Sequence, residues 1–154
     1  MSLKYNVGIV GLGAIGLQIA QTIDLGKLPQ MRVSVVCSRD KVKAKNNLKT
    51  LKSQPSITSI ENVAKQSDVI IECAPAEIFD QIAESAIEAG KIFIPASVGA
   101  LLPRMHLVDR AAETGAKIII PTGALLGLDA VRAAAEGNIE SITLKTRKPP
   151  TGLA

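Results

Sequence analysis

Short continuous apolar runs alternate with helical stripes along this chain. Val7-Gly8-Ile9-Val10 is such a run, the pattern of a strand covered on both faces. It leads into Gly11-Leu12-Gly13-Ala14-Ile15-Gly16, after which Ile15, Ile19 and Ile23 recur at helical spacing until Gly26 and Pro29 close the helix. Met31–Cys37 is rich in β-branched residues and predicts a second strand. The lysine-rich stretch Lys41–Lys52 predicts an exposed helix, Pro55–Ile57 a short strand and Ile60–Gln66 a short helix. Asp68–Cys73 predicts a buried strand, Glu77–Ala89 an amphipathic helix closed by Gly90, and Lys91–Pro95 another strand. A helix from Pro103 to Glu113 ends at Gly115, a strand follows at Lys117–Ile120, and Leu128–Ala135 is helical up to Gly137. From Ile139 the pattern changes. Ile142 and Leu144 alternate with Ser141, Thr143 and Lys145, which predicts an antiparallel strand over Ile139–Thr146 with one wet face.

Strands alternating with helices predict an α/β fold, a Rossmann-type doubly wound parallel sheet. Within it, the glycine string carries the most information. G-x-G-x-x-G has meaning where it follows a strand and opens a helix, as here. Gly11 makes the tight turn, Gly13 lets a pyrophosphate approach the backbone, and Gly16 lets helix and strand pack closely. The helix N-terminus, with Ala14 and Ile15 in its first turn, offers free N–H groups and a positive dipole end. The competing reading is a glycine-rich turn without a ligand.

The end of the second strand selects the dinucleotide. An acidic side chain there holds a ribose 2′-hydroxyl, whereas basic and hydroxyl side chains hold a 2′-phosphate. The sequence has Cys37-Ser38-Arg39-Asp40. Ser38 and Arg39 favour NADP; Asp40 on the ribose is the alternative, and leaves NAD open. Cys73 and Ala74, Ser97, and Ala124 end successive strands on the edge where open parallel sheets bind ligands. Cys73 reads as a small buried residue, since no base stands near it in sequence. His106, on a helix without a neighbouring Cys or His, reads as structural or solvated, and Asp109, Arg110 and Glu113 as surface charges.

Composition narrows the partners. The 154 residues carry a net charge of +4, which favours anionic ligands. Tyr5, Phe79 and Phe93 are too few aromatics for a stacking platform, which argues against single-stranded nucleic acid. The lysines of 41–52 read as a solvated face, with attraction for a 2′-phosphate or a nucleic acid as the sharper alternatives. The apolar stretch Tyr5–Ile23 is broken by glycines and amides, so no membrane span is expected. Two cysteines far apart give no metal or disulfide pattern and suit a reducing cytoplasm. No secretory signal is visible at Met1–Tyr5.

Four segments are more specific than the glycine loop: Asp68–Ala74, Ala96–Leu101, Pro121–Ala130 and Thr146–Pro150. Together, from Tyr5 onward and in order, they resemble the L-aspartate dehydrogenase family. Dihydrodipicolinate-reductase-like and homoserine-dehydrogenase-like proteins share the glycine loop but match Pro121–Ala130 and Arg147–Pro150 less well. The resemblance implies oxidative deamination of L-aspartate with NAD or NADP, giving iminosuccinate and then oxaloacetate and ammonia. It also implies a homodimer in the full-length form. It assigns cofactor contacts to Gly11, Gly13, Ala14, Ile15, Gly16 and Ala124. The family's catalytic histidine lies in a second domain, and His106 does not match it. The expectation is therefore an NAD(P)-binding domain over 1–137. Residues 138–154 are expected to form the connection and first strand of a truncated second α+β domain. No catalytic residue and no metal ligand is named, and the chain is expected to be inactive alone. A stand-alone NAD(P)-sensing domain acting through a protein partner is the alternative.

Overall fold

The structure, a computed structural model, describes residues 5–123, 127–145 and 147. Six strands form one parallel sheet in the order β3-β2-β1-β4-β5-β6. They are β1 (Tyr5–Val10), β2 (Met31–Cys37), β3 (Ser56–Ile57), β4 (Val69–Glu72), β5 (Ile92–Pro95) and β6 (Lys117–Ile118). The chain builds outward from β1 to β3, then returns to lay β4 on the other side of β1 and builds outward again. That reversal, between β1 and β4, opens a crevice at the carboxyl ends of the strands.

Helices cover both faces, as the unbroken apolar strands demand. On one face Val7, Ile9, Val33, Val36, Val69 and Ile71 pack with Ala20 and Ile23 of α1 (Ala14–Asp24) and Ala44 and Leu48 of α2 (Lys41–Leu48). On the other, Val10, Val35, Ile70 and Phe93 pack with α3 (Ile60–Gln66), α4 (Phe79–Glu88) and α5 (His106–Thr114). Phe79 and Phe93 meet edge to face at 5.9 Å.

The lysine-rich helix is shorter than the pattern predicts, ending at Leu48. Local hydrogen bonding accounts for this. The Asp24 carboxylate takes the backbone N–H groups of Lys52 (2.7 Å) and Ser53 (2.8 Å), and the Gln54 amide donates to the carbonyls of Leu48 and Leu51. These side chains satisfy groups that a longer helix would have paired internally.

The chain divides into two compact units, Met1–Pro121 and Thr122–Ala154, and the whole sheet lies in the first. The boundary expected after residue 137 falls inside the second unit. That unit holds α6 (Leu128–Ala134), entered through Gly127 at φ 75°. Residues 138–145 have no regular element, and Ile142 and Leu144 are exposed. A lone strand has no ladder to satisfy its backbone, and the one expected over Ile139–Thr146 has no partner among the described residues.

Candidate functional site

The site begins where β1 ends. Val10 lies in register between Cys37 of β2 and Glu72 of β4. Beyond it, Gly11 N–H donates to the Cys37 carbonyl and Cys73 N–H donates to the Val10 carbonyl, both at 2.8 Å. The three glycines then do different work. Gly11 sits at φ 95°, and a Cβ there would run into the Cys73–Ala74 backbone. A Cβ on Gly16 would run into the Gly11 carbonyl, so α1 rests directly on the loop. At Gly13 a Cβ would meet nothing within 4 Å. Two glycines are thus required by packing, and the third keeps a space open.

That open space lies at the start of α1. Gly13 is the N-cap, no side chain caps the helix, and its first turn carries no acidic residue. The unpaired N–H groups and the positive dipole end are left for something else. The loop is held from α2, where the Asn47 amide donates to the Leu12 carbonyl (3.1 Å).

A cavity of about 560 Å³ opens here, within the usual range for small-molecule sites. Three segments wall it: Val10–Gly13, Cys37–Asp40 with Lys43, and Cys73–Pro75 with Glu77 and Ile78. Arg39 and Lys43 make its β2 side cationic. Asp40, also in that wall, is the N-cap of α2 and accepts from Lys43 N–H at 2.9 Å. The Ser38 hydroxyl donates to the Asp40 carbonyl at 3.3 Å. Asp40, the acid in this wall, thus uses its Oδ1 in capping.

Of the residues expected from sequence, Gly11, Gly13, Ser38, Arg39, Cys73 and Ala74 meet in this one cavity. Ala14 and Ile15 are exposed in the first turn of α1, and Gly16 is buried beneath the loop. Ser97 follows β5, outside the cavity wall, where it is bonded to Glu72. Ala124 lies outside the described residues. Burial, reinforced by the Glu72 charge, pushes the Cys73 thiol up to about 12, so it is no nucleophile at neutral pH. Burial raises Cys37 too. His106 is exposed at the start of α5. Arg110 pairs with Glu88 and Glu113, as expected of surface charges.

The main residue that the sequence reading passed over is Glu72. Its side chain is fully buried at the end of β4 and takes three hydrogen bonds: Ala74 N–H to Oε1 (2.8 Å), Ser97 hydroxyl to Oε1 (3.1 Å) and Ser97 N–H to Oε2 (2.9 Å). A charge inside an apolar strand run was the available signal, because a carboxylate is buried only where donors await it. Lys43 was one of five lysines whose sequence gives no way to choose among them.

Comparison with known proteins bears on the fold and the family. A family model described as the NAD-binding domain of homoserine dehydrogenase matches residues 11–121. An L-aspartate dehydrogenase of Bradyrhizobium diazoefficiens is 42% identical over 152 residues, covering 99% of this chain and 54% of that protein. L-aspartate dehydrogenase 3 of Bordetella bronchiseptica is 41% identical over 149 residues, covering 97% of this chain and 55% of that protein. The chain thus spans about half the length of the curated relatives it matches. Among solved structures, scyllo-inositol dehydrogenase from Lactobacillus casei with bound NAD(H) and scyllo-inositol superposes with a TM-score of 0.64 at 18% identity, over 86% of this chain and 41% of that one. The WlbA dehydrogenase from Bordetella pertussis, in complex with NADH and UDP-GlcNAcA, gives 0.66 at 15%, over 86% and 42%. At such identities the likeness is one of fold. The family match places this chain in the family of homoserine-dehydrogenase-type NAD-binding domains, and over about half of their length it is similar to curated L-aspartate dehydrogenases.

Proposed function

We propose that this chain is the cofactor-holding part of an enzyme that oxidatively deaminates L-aspartate, and that it prefers NADP. The observation that carries the reading is the open space at Gly13, before an uncapped helix start and between two glycines that packing requires. Gly11, Gly13 and the N–H groups at Ala14 and Ile15 would hold the pyrophosphate. Ser38, Arg39 and Lys43 would hold the 2′-phosphate, with Asp40 turning its Oδ1 to the cap of α2. Cys73, Ala74, Ser97 and, by resemblance, Ala124 would flank the nicotinamide.

The chemistry that a bound nicotinamide would supply is hydride acceptance from the substrate carbon. The chain's own residues bind and orient it. Proton removal from the amine needs a base. Cys73 is too weak an acid to serve as a thiolate, and His106 is not part of the cavity wall. By resemblance, the base and homodimerisation belong to the part of the relatives' length that this chain does not span. Residues 1–137 are the cofactor domain in this reading, and 138–154 lead into the catalytic one. Two free thiols suit a cytoplasmic setting. Among the described residues no helix is long and apolar enough to cross a membrane.

The test supplies the purified chain with NADPH or NADH, oxaloacetate and ammonium, and follows the nicotinamide absorbance. The expected result is cofactor binding without turnover. Sustained oxidation of either cofactor would place a base within these residues and overturn the division of labour.

A further inference from the structure

We propose that Glu72 is a positioning residue for the nicotinamide half of the cofactor, acting through the two loops that its carboxylate ties together. The proposal rests on the cofactor reading above. Glu72 shares a sheet face with Ile70, in a strand otherwise made of apolar side chains. An apolar residue of similar size would fill this place without burying a charge. Nor is the carboxylate needed to pair the strands. Main-chain bonds already do so, and Ala96 N–H reaches the Glu72 carbonyl at 2.9 Å. The side chain's three bonds go beyond the last ladder pair, to Ala74 after β4 and to Ser97 after β5.

Both loops leave the carboxyl edge of the sheet beside the switch point, where open α/β sheets bind ligands. The first of them walls the cavity through Cys73, Ala74 and Pro75. Glu72 holds this wall and Ser97 in a fixed relation. Its charge also helps keep the adjoining Cys73 thiol protonated.

The experiment compares ligands that differ only in the nicotinamide. NADPH is titrated against 2′-phospho-ADP-ribose, and NADH against ADP-ribose, on the wild-type chain, Glu72→Gln and Ser97→Ala. Glu72→Gln keeps the shape but turns one acceptor into a donor facing a donor. It should lose about tenfold or more in affinity for the dinucleotides, with the ADP-ribose ligands within about twofold of wild type. Ser97→Ala removes one of the three bonds and should lose about two- to fivefold, again only for the dinucleotides. Because Ser97→Ala leaves the carboxylate and both N–H bonds intact, it still puts the proposal at risk if Glu72→Gln fails to fold, since wild-type dinucleotide binding by it would count against the tie. Equal losses for both ligands of a pair would reduce Glu72 to a structural role and overturn the proposal. So would Ser97→Ala or a folded Glu72→Gln that binds dinucleotides like wild type. A wild-type chain that binds neither dinucleotide would overturn the cofactor reading itself, a distinct result seen before any variant is made.

Discussion

Replacing Gly13 and Gly16 by alanine, one at a time, separates what the glycine loop does for folding from what it does for binding. At Gly16 the new methyl lands on the Gly11 carbonyl, so α1 must move off the sheet. Overpacking of this kind costs about 1–3 kcal/mol, and a helix-propensity gain of about 1 kcal/mol offsets only part of it. At Gly13 the backbone is extended (φ −81°), which any residue adopts, and the methyl meets nothing within 4 Å. The entropy gained by constraining the unfolded chain, about 0.4–1 kcal/mol, roughly cancels the poorer capping of alanine. Gly13→Ala should therefore melt within about 2 °C of wild type, and Gly16→Ala several degrees lower. Binding should divide the other way for Gly13. Its methyl takes the place of an anion, and losing one or two charge-assisted N–H bonds, each worth about 1.5–3 kcal/mol, means a loss of about tenfold to a hundredfold or more in NADPH affinity. Thermal denaturation and fluorescence titration on the same samples read both quantities. A Gly13→Ala chain that binds like wild type would refute the assignment of this space to the pyrophosphate. One that melts like Gly16→Ala would refute the reading of the space as open.

Further outcomes follow from other parts of the cavity. Arg39→Ala should weaken NADPH by about ten- to a hundredfold while leaving NADH within about threefold, because only the 2′-phosphate loses a partner; equal losses for both would count against the NADP preference. Cys73, its thiol pushed up to about 12 by burial and by Glu72, should alkylate at pH 8 on the order of a thousandfold more slowly than a free thiol, as peptide mass spectrometry can measure. Asp24, Asp80 and Glu88 bear on acid stability. Burial pushes Asp24 up, but the N–H bonds from Lys52 and Ser53 outweigh it, so its carboxyl is held below the usual range. Hydrogen bonds from Arg104 and Arg110 lower Asp80 and Glu88 in the same direction. Groups whose folded pKa is depressed stabilise above their unfolded values, about 4, and lose that contribution as pH falls below them. The melting temperature should drop between pH 5 and 3. Asp24→Asn should cost about 1 kcal/mol at pH 7, after discounting for solvent screening, and should flatten part of that drop.

Much of this was legible in the sequence, for physical reasons. Parallel strands covered on both faces must be apolar throughout, so β1, β2, β4 and β5 announce themselves. Gly11 and Gly16 of the loop mark places where the chain turns or packs more tightly than a Cβ allows. Ser38, Arg39 and Cys73 meet because a doubly wound sheet brings strand ends to one edge. Other features depend on partners distant in sequence. The end of α2 is set by Asp24 of α1, whereas its start at Lys41, just after the cap Asp40, is where the sequence places it. The use of Glu72 depends on donors that β5 delivers. The strand expected over Ile139–Thr146 is a pattern without a described neighbour, and pairing, rather than alternation, makes a strand.

The central claim is that this chain holds a nicotinamide dinucleotide at its glycine loop. Calorimetric titration of the purified chain with NADPH, repeated on Gly13→Ala, tests it most directly. The account predicts a saturable site on the wild-type chain that weakens by at least about tenfold in the variant. No saturable heat from the wild-type chain, or the same affinity in both, would contradict it.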